Sequence, residues 1–326
     1  MKNIRYSLLM ALAALIWGTA FVAQRLGADK LDAYSFNSAR SFIGFLVLVA
    51  VAFTVGRRGT LAQIATPGAR RELVLGGALC GLVLTVSTLF QQVGLAGTTA
   101  GKAGFITALY IVIVPIFGMT LGRRVSWLLW VAIAVAVAGM YLLCIKDGFS
   151  MDKGDRLVLC CAFTFSVHIL FVDHFAKKVD NIALSAAQFF FCGIFSLVPF
   201  AWNGLELPSA SAVASCWAPI LYTAIFSSGI AYTLQIVTQK HLSAPVASLV
   251  MSLESVFAAL SGWLILGEHL QTREFLGCAL VFGATILAQV PAPRRETKRW
   301  ILTGMTVAAV AAIAWWRGCL PCWGAF

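Results

Sequence analysis

Ser243 to Glu268 reads SAPVASLVMSLESVFAALSGWLILGE, and this stretch decides the fold. As a helix it is long enough to cross the ~30 Å hydrocarbon core of a bilayer, and one carboxylate, Glu254, stands in its middle. A charged side chain at that depth costs roughly 2.5–3.5 kcal/mol even on lenient insertion scales. Glu254 therefore needs a partner, a proton or a task. Ten further apolar runs surround it, giving expected spans near 6–24, 34–55, 73–94, 102–121, 126–145, 156–174, 184–202, 217–238, 244–266, 273–290 and 300–316. The class is all-α, a polytopic membrane protein.

Composition supports that class. Of 326 residues, 60% are hydrophobic and 11% charged, and mean hydropathy is +0.88. Soluble domains carry about 25% charged residues, so this chain has too few to solvate a water-facing surface. The short connections leave no room for a folded domain outside the membrane. The formal charge of +11 comes from Lys and Arg in loops, without a basic stripe interleaved with aromatics, so nucleic acid is not an expected partner. The nine cysteines are scattered, which suits small core residues better than a disulfide framework. Cys319-x-x-Cys322 lacks a second pair or nearby histidines, so no metal and no cofactor are expected. Ala96 to Ala103, AGTTAGKA, lacks the opening Gly and closing Ser or Thr of a phosphate loop. Transport without an ATPase follows.

Met1 to Gln24 mimics a signal peptide, but keeping it as a helix lets the loop charges alternate. With the N-terminus inside, fifteen Lys and Arg residues fall in inside loops and eight in outside loops. That excess sets the N-terminus in the cytoplasm.

An internal repeat organises the chain. Leu31 to Phe42 resembles Val179 to Phe190, 148 residues later. At a spacing of 144, Gln91 falls on Gln235, Leu109 on Leu253 and Tyr110 on Glu254; Leu121-Gly122 matches Leu266-Gly267 at 145. Helices 1–5 and 6–10 are thus two copies of one unit. Five is odd, so the second copy enters the membrane from the opposite side, as in transporters that hold their substrate at the midplane. The expected division is 1–147 and 148–291 for the two repeats, with 292–326 a basic linker and an eleventh helix.

Depth arithmetic at 1.5 Å per residue sets Glu254 and Trp17 each about 16 Å into their helices. Tyr110 and His168 fall at a similar level. Carboxylate, indole, phenol and imidazole at one level suit a cavity for a small polar or aromatic solute. The bland alternatives are a glutamic acid that bonds two helices together and a neutral histidine bonded to a carbonyl. Arg40, about 9 Å deep, can pair with an acid, meet a substrate carboxylate or snorkel outward, and snorkelling is favoured. Gln91, Gln92 and Gln235 lie nearer the span ends and suggest gating or structural hydrogen bonds. Pro115 is expected to loosen helix 4 beside the cavity. Ser255-x-x-x-Ala259 and Ala258-x-x-x-Gly262 are small pairs for close helix packing. Asp173-His174 reads as a solvated helix terminus.

These residues resemble the drug/metabolite transporter superfamily, specifically its EamA-type members. The resemblance covers helices 1–10. It rests on Leu15-Ile16-Trp17-Gly18-Thr19-Ala20-Phe21, on Phe105-Ile106-Thr107-Ala108-Leu109-Tyr110 with Pro115 and Leu121-Gly122-Arg123-Arg124, and on Ser252-Leu253-Glu254-Ser255-Val256-Phe257-Ala258-Ala259 with Leu266-Gly267-Glu268. The family usually has Pro where Ser255 stands, so a milder break is expected in helix 9. The resemblance implies ten helices in two inverted EamA repeats around a central cavity, in the cell (inner) membrane. It also implies a small-molecule substrate, often an amino acid or other metabolite, and often export. Helix 11 lies outside the pattern and is expected at the periphery or at a homodimer contact. Two rivals are an integral membrane enzyme on a lipid-like substrate, which needs clustered carboxylates or a His/Asp metal set, and a non-transporting channel or scaffold subunit.

Overall fold

A computed structural model describes residues 2–28, 30–54, 56–98, 100–123, 125–144, 151–203, 208–266 and 271–290. The expected helix 11, Cys319 and Cys322 lie outside the described residues. The first repeat contains α1 (Lys2–Ala28), α2 (Ala33–Thr54), α3 (Arg57–Ala65), α4 (Pro67–Ala96), α5 (Ala100–Ala108), α6 (Tyr110–Thr120) and α7 (Trp127–Cys144). The second contains α8 (Lys153–Phe175), α9 (Asn181–Asn203), α10 (Ala210–Ser215), α11 (Trp217–Tyr222), a π-helix (Thr223–Ala231), α12 (Tyr232–Gln239), α13 (Ala244–Met251), α14 (Leu253–Leu266) and α15 (Thr272–Leu287). Among the described residues, eight helical stretches are long and apolar enough to cross a membrane, and Trp127–Leu143 is a shorter apolar helix. α15 follows them as the last described helix. Leu8, Leu264 and Ile286 are each well over half exposed on the outer surface, a liability in water but the natural face toward lipid.

The repeated sequence around Asp32 and Asp180 has a local cause. Asp32 Oδ1 accepts from the backbone N–H of Tyr34 and Ser35 at the start of α2, at 3.0 and 2.9 Å. Asp180 Oδ1 accepts from Ala183 N at 2.9 Å at the start of α9. Both satisfy N–H groups that the first turn leaves orphaned. Asp152 and Asp155 form a reciprocal capping box at the start of α8, and Gln271 and Glu274 do so for α15. Pro67 and Pro245 occupy first-turn positions, where a missing N–H is no loss.

Packing follows the repeat. The second helices of the two copies, α2 and α9, pack on each other, as do the fifth, α7 and α15. The first and fourth exchange partners: α1 packs on α14, and α8 packs on α5 and α6. The α7–α15 seam is backbone-close. A Cβ on Gly139 would fall 2.9 Å from Gly277 O, and one on Gly277 would fall 2.6 Å from Gly139 O, so only glycine fits at this crossing.

Helices 4 and 9 are both interrupted, though not where proline suggested. Pro115 lies inside α6, whereas the interruption falls at Leu109, between α5 and α6. Its counterpart falls at Ser252, between α13 and α14. At each, an N–H reaches three residues back: Val112 to Leu109 O at 2.9 Å, and Ser255 to Ser252 O at 3.1 Å. Such tight turns shift the direction of the following helix with little lost bonding. Tyr110 directly follows the first, and Glu254 lies two residues past the second.

Asp173 corrects the expectation of a solvated helix end. It is fully buried, with Oδ2 2.6 Å from Arg123 Nη1 and Oδ1 3.1 Å from Lys177 Nζ. Arg123, just past α6, and Lys177, just past α8, meet Asp173 once α6 and α8 pack.

Candidate functional site

The repeat-related residues Tyr110 and Glu254 meet face to face. Tyr110 Oη donates to Glu254 Oε1 at 2.8 Å, and both side chains are buried. Equivalent residues of two inverted copies can touch only near the axis relating them, so this bond marks the centre of the molecule. Beside it lies a cavity.

Each wall contributes a face of one helix. From α1 come Trp17, Phe21 and Gln24, at the i, i+4, i+7 spacing of one helical stripe. From α2 comes Arg40, and from α4 Gln91; Thr107 and Tyr110 flank the helix-4 interruption. The second repeat contributes Phe165 of α8, Ser227 of the π-helix, Tyr232 and Gln235 of α12, and Met251 and Glu254 around the helix-9 interruption. Gln91 and Gln235, the second repeat-related pair, therefore line the same cavity. The π-helix packs against α1 and α2; its wider turn is a common local device where a helix must present a side chain out of register.

Several polar groups in this wall lack protein partners. Gln235 is 1% exposed, and neither its Nε2 nor its Oε1 has a hydrogen-bond partner. The indole N–H of Trp17 and Oε1 of Gln24 are also unpartnered. Gln91 Nε2 reaches Thr107 Oγ1 at 3.4 Å. A buried amide without partners costs about 1–3 kcal/mol, so such groups mark a place where a solute or water belongs. The apolar part of the wall is aromatic, with Trp17 set edge-on to Tyr232 at 4.9 Å between ring centroids.

Of the other expected site residues, His168, Gln92 and Pro115 sit outside the cavity wall. His168 does not line the cavity. Its Nε2 is 3.2 Å from Gln188 Oε1, and its ring stands edge-on behind Tyr232 at 6.0 Å. Gln92 turns to α1, where its Nε2 donates to the Gln24 carbonyl at 3.2 Å. Pro115 is buried within α6 and is not in the wall. Arg40 does not snorkel: it is 5% exposed and its Nε donates to Asn37 Oδ1 at 2.9 Å. Phe21, Gln24, Thr107, Phe165, Ser227, Tyr232 and Met251 were missed from sequence. For Phe21, Gln24, Thr107 and Met251 the signal was present, since each lies three, four or seven residues from Trp17, Tyr110 or Glu254. Among the described residues, no group of three or more His, Cys, Asp or Glu is placed to hold a metal ion.

The sequence profile of the EamA-like transporter family matches residues 4–145 and 152–289. The chain belongs to that family. This EamA-like transporter is 29% identical over 299 residues to an uncharacterized transporter of Archaeoglobus fulgidus, covering 89% of this chain and 87% of that one. It is 24% identical over 278 residues to the uncharacterized inner membrane transporter YedA of Escherichia coli (strain K12), covering 84% and 87%. The uncharacterized transporter YoaV of Bacillus subtilis (strain 168) is 22% identical over 280 residues, covering 82% and 90%. A solved crystal structure superposes with a TM-score of 0.71 at 19% identity, covering 87% of this chain and 96% of that chain. That likeness concerns the fold alone.

Proposed function

We propose that this EamA-like transporter is a secondary transporter that moves a small organic metabolite, an amino acid or related solute, out of the cell by alternating access. The observation that carries the reading is the cavity at the meeting of the two repeats, with the Tyr110–Glu254 bond in its wall. Glu254 serves as a proton site or as the acceptor of a substrate amine. Trp17, Tyr110, Gln91 and Gln235 shape and bind, and His168 supports Tyr232 from behind. The N-terminus lies in the cytoplasm on the charge asymmetry of the loops.

Contacts at both ends of the bundle support alternation. At the end carrying the N-terminus, Tyr6 stacks on His241 with centroids 3.9 Å apart, and Arg123 pairs with Asp173. At the opposite end Lys102 pairs with Asp155 at 2.5 Å, and nearer the middle Thr19 bonds Tyr222. Each set joins helices from different repeats. Opening one end while keeping the other is a rocking of one repeat on the other around a fixed site.

Metabolite profiles of cells overproducing the wild type or Glu254→Gln test the reading. A compound enriched in the medium by the wild type should be at least about tenfold less enriched by the variant. That is the scale of one hydrogen bond to a charged group, about 1.5–3 kcal/mol. Equal export at equal membrane abundance would make Glu254 structural.

A further inference from the structure

We propose that Arg40 is the anion-binding residue of the central cavity and that the transported solute presents a carboxylate to it. The proposal rests on the transporter reading and adds a chemical requirement for its substrate. Arg40 is the one cation among the residues lining the cavity. Four cations nearer the ends of the bundle have carboxylate partners: Lys102 with Asp155, Arg123 and Lys177 with Asp173, and Lys178 with Glu72. Arg40 differs. Among the described residues no carboxylate pairs with it, although it is 5% exposed and lies within a membrane span.

An uncompensated guanidinium in such a place is expensive unless something restores its countercharge. Glu254 lines the same cavity, but its recorded partner is Tyr110. The cavity therefore presents a cation and an acid that do not satisfy each other.

The guanidinium is also aimed. Asn37 Nδ2 donates to Ser196 Oγ at 2.7 Å, and Ser196 Oγ donates to the Cys192 carbonyl at 2.7 Å. This chain fixes the amide so that its oxygen takes the Arg40 Nε–H. Nε is thereby used, and the two terminal nitrogens remain for a ligand. Their parallel N–H groups match the two oxygens of a carboxylate. A phosphate dianion fits less well, because the wall offers one cation to it and Glu254 would repel it. Asn37 and Ser196 are positioning residues.

Thermal melting of the purified full chain in detergent tests this. The probes are the twenty amino acids and straight-chain C2–C6 carboxylates at 10 mM, each beside its primary amide. Inorganic phosphate and glycerol 3-phosphate form a separate arm. At least one carboxylate should raise the wild-type Tm by about 3 °C or more while its amide does not. Arg40→Gln and Arg40→Met should lose that shift. Without ligand, Arg40→Met should melt no lower than the wild type, since it removes an uncompensated charge; an arginine with a purely structural role would give a lower Tm. Asn37→Asp keeps Arg40 but sets an internal carboxylate against it, so it should fold stably and lose carboxylate binding.

The anion site is overturned if no carboxylate shifts the wild type, if the amide shifts it equally, if phosphate alone does, or if Arg40→Gln keeps the shift. A solute exported in a Glu254-dependent way but bound as well without its carboxylate would sink this proposal and leave the transporter reading standing.

Discussion

Gly18→Leu is expected to leave almost no folded protein in the membrane, and Gly18→Ala to fold but lose at least about tenfold in transport. Gly18 lies in α1 one residue from Trp17, where α1 crosses α14. A Cβ there would fall 2.5 Å from Phe257 Cβ, 2.7 Å from Ala258 N and 2.7 Å from Glu254 O. Two of these atoms are backbone and cannot rotate away. Alanine in a helix interior gains about 1 kcal/mol over glycine, but overpacking by even a methylene costs about 1–3 kcal/mol. The clash wins because α14 must move bodily, and Glu254 moves with it. Displacing a positioned group by 1 Å can cost on the order of a hundredfold in rate. Gly283→Ala is the matched control: its Cβ would meet nothing within 4 Å, so melting temperature should be unchanged or slightly higher. The comparison is made by membrane abundance, melting temperature and transport. Wild-type transport by Gly18→Ala would show that the α1–α14 crossing yields without consequence.

Asp155→Ala is expected to lower the melting temperature by about 10 °C, the scale of losing one partner of a buried pair, about 3–5 kcal/mol. The Asp155 carboxylate is fully buried and serves three groups: Lys102 Nζ at 2.5 Å, Thr98 Oγ1 at 2.5 Å and the Asp152 backbone N–H at 2.8 Å. The lysine side chain is 15% exposed, so it has limited access to water when its partner is removed. Lys102→Met combined with Asp155→Leu should recover a substantial part of the loss, because an apolar pair needs no compensating charge. A melting temperature for Asp155→Ala within about 1 °C of the wild type would show the pair to be dispensable. Lys102 starts the fourth pass and Asp155 the sixth, so the pair ties one repeat to the other at the end opposite the N-terminus.

Much of this molecule could be read before folding it. The membrane passes follow from runs of apolar residues, and the ends of several follow from Asp32, Asp152 and Asp180 ahead of helices. The kinship of Tyr110 and Glu254 was visible in the 144-residue spacing, and their hydrogen bond is what that kinship becomes in space. The cavity stripes on α1 were legible too, once Trp17 was chosen, since Phe21 and Gln24 follow at helical spacing.

His168, Arg40 and Asp173 show what was not legible. Residue counting along a helix gives an expected depth, similar for His168 and Tyr110. It gives no azimuth. Whether His168 faces the cavity or Gln188 depends on how α8 is rotated against α9, and that rotation is set by the packing of both surfaces. The same holds for Arg40, turned inward onto Asn37, and for Asp173, buried where Arg123 arrives from the segment after α6.

The sequence by itself determined the membrane class, the two repeats, the family and the kinship of Tyr110 with Glu254. These depend on hydrophobicity, period and local capping, all of which are written along one chain. Only the tertiary structure decided which side chains share the cavity, where helices 4 and 9 break, and which charges go without a partner. Those depend on the mutual rotation of packed helices, which is fixed by contacts between residues far apart in sequence.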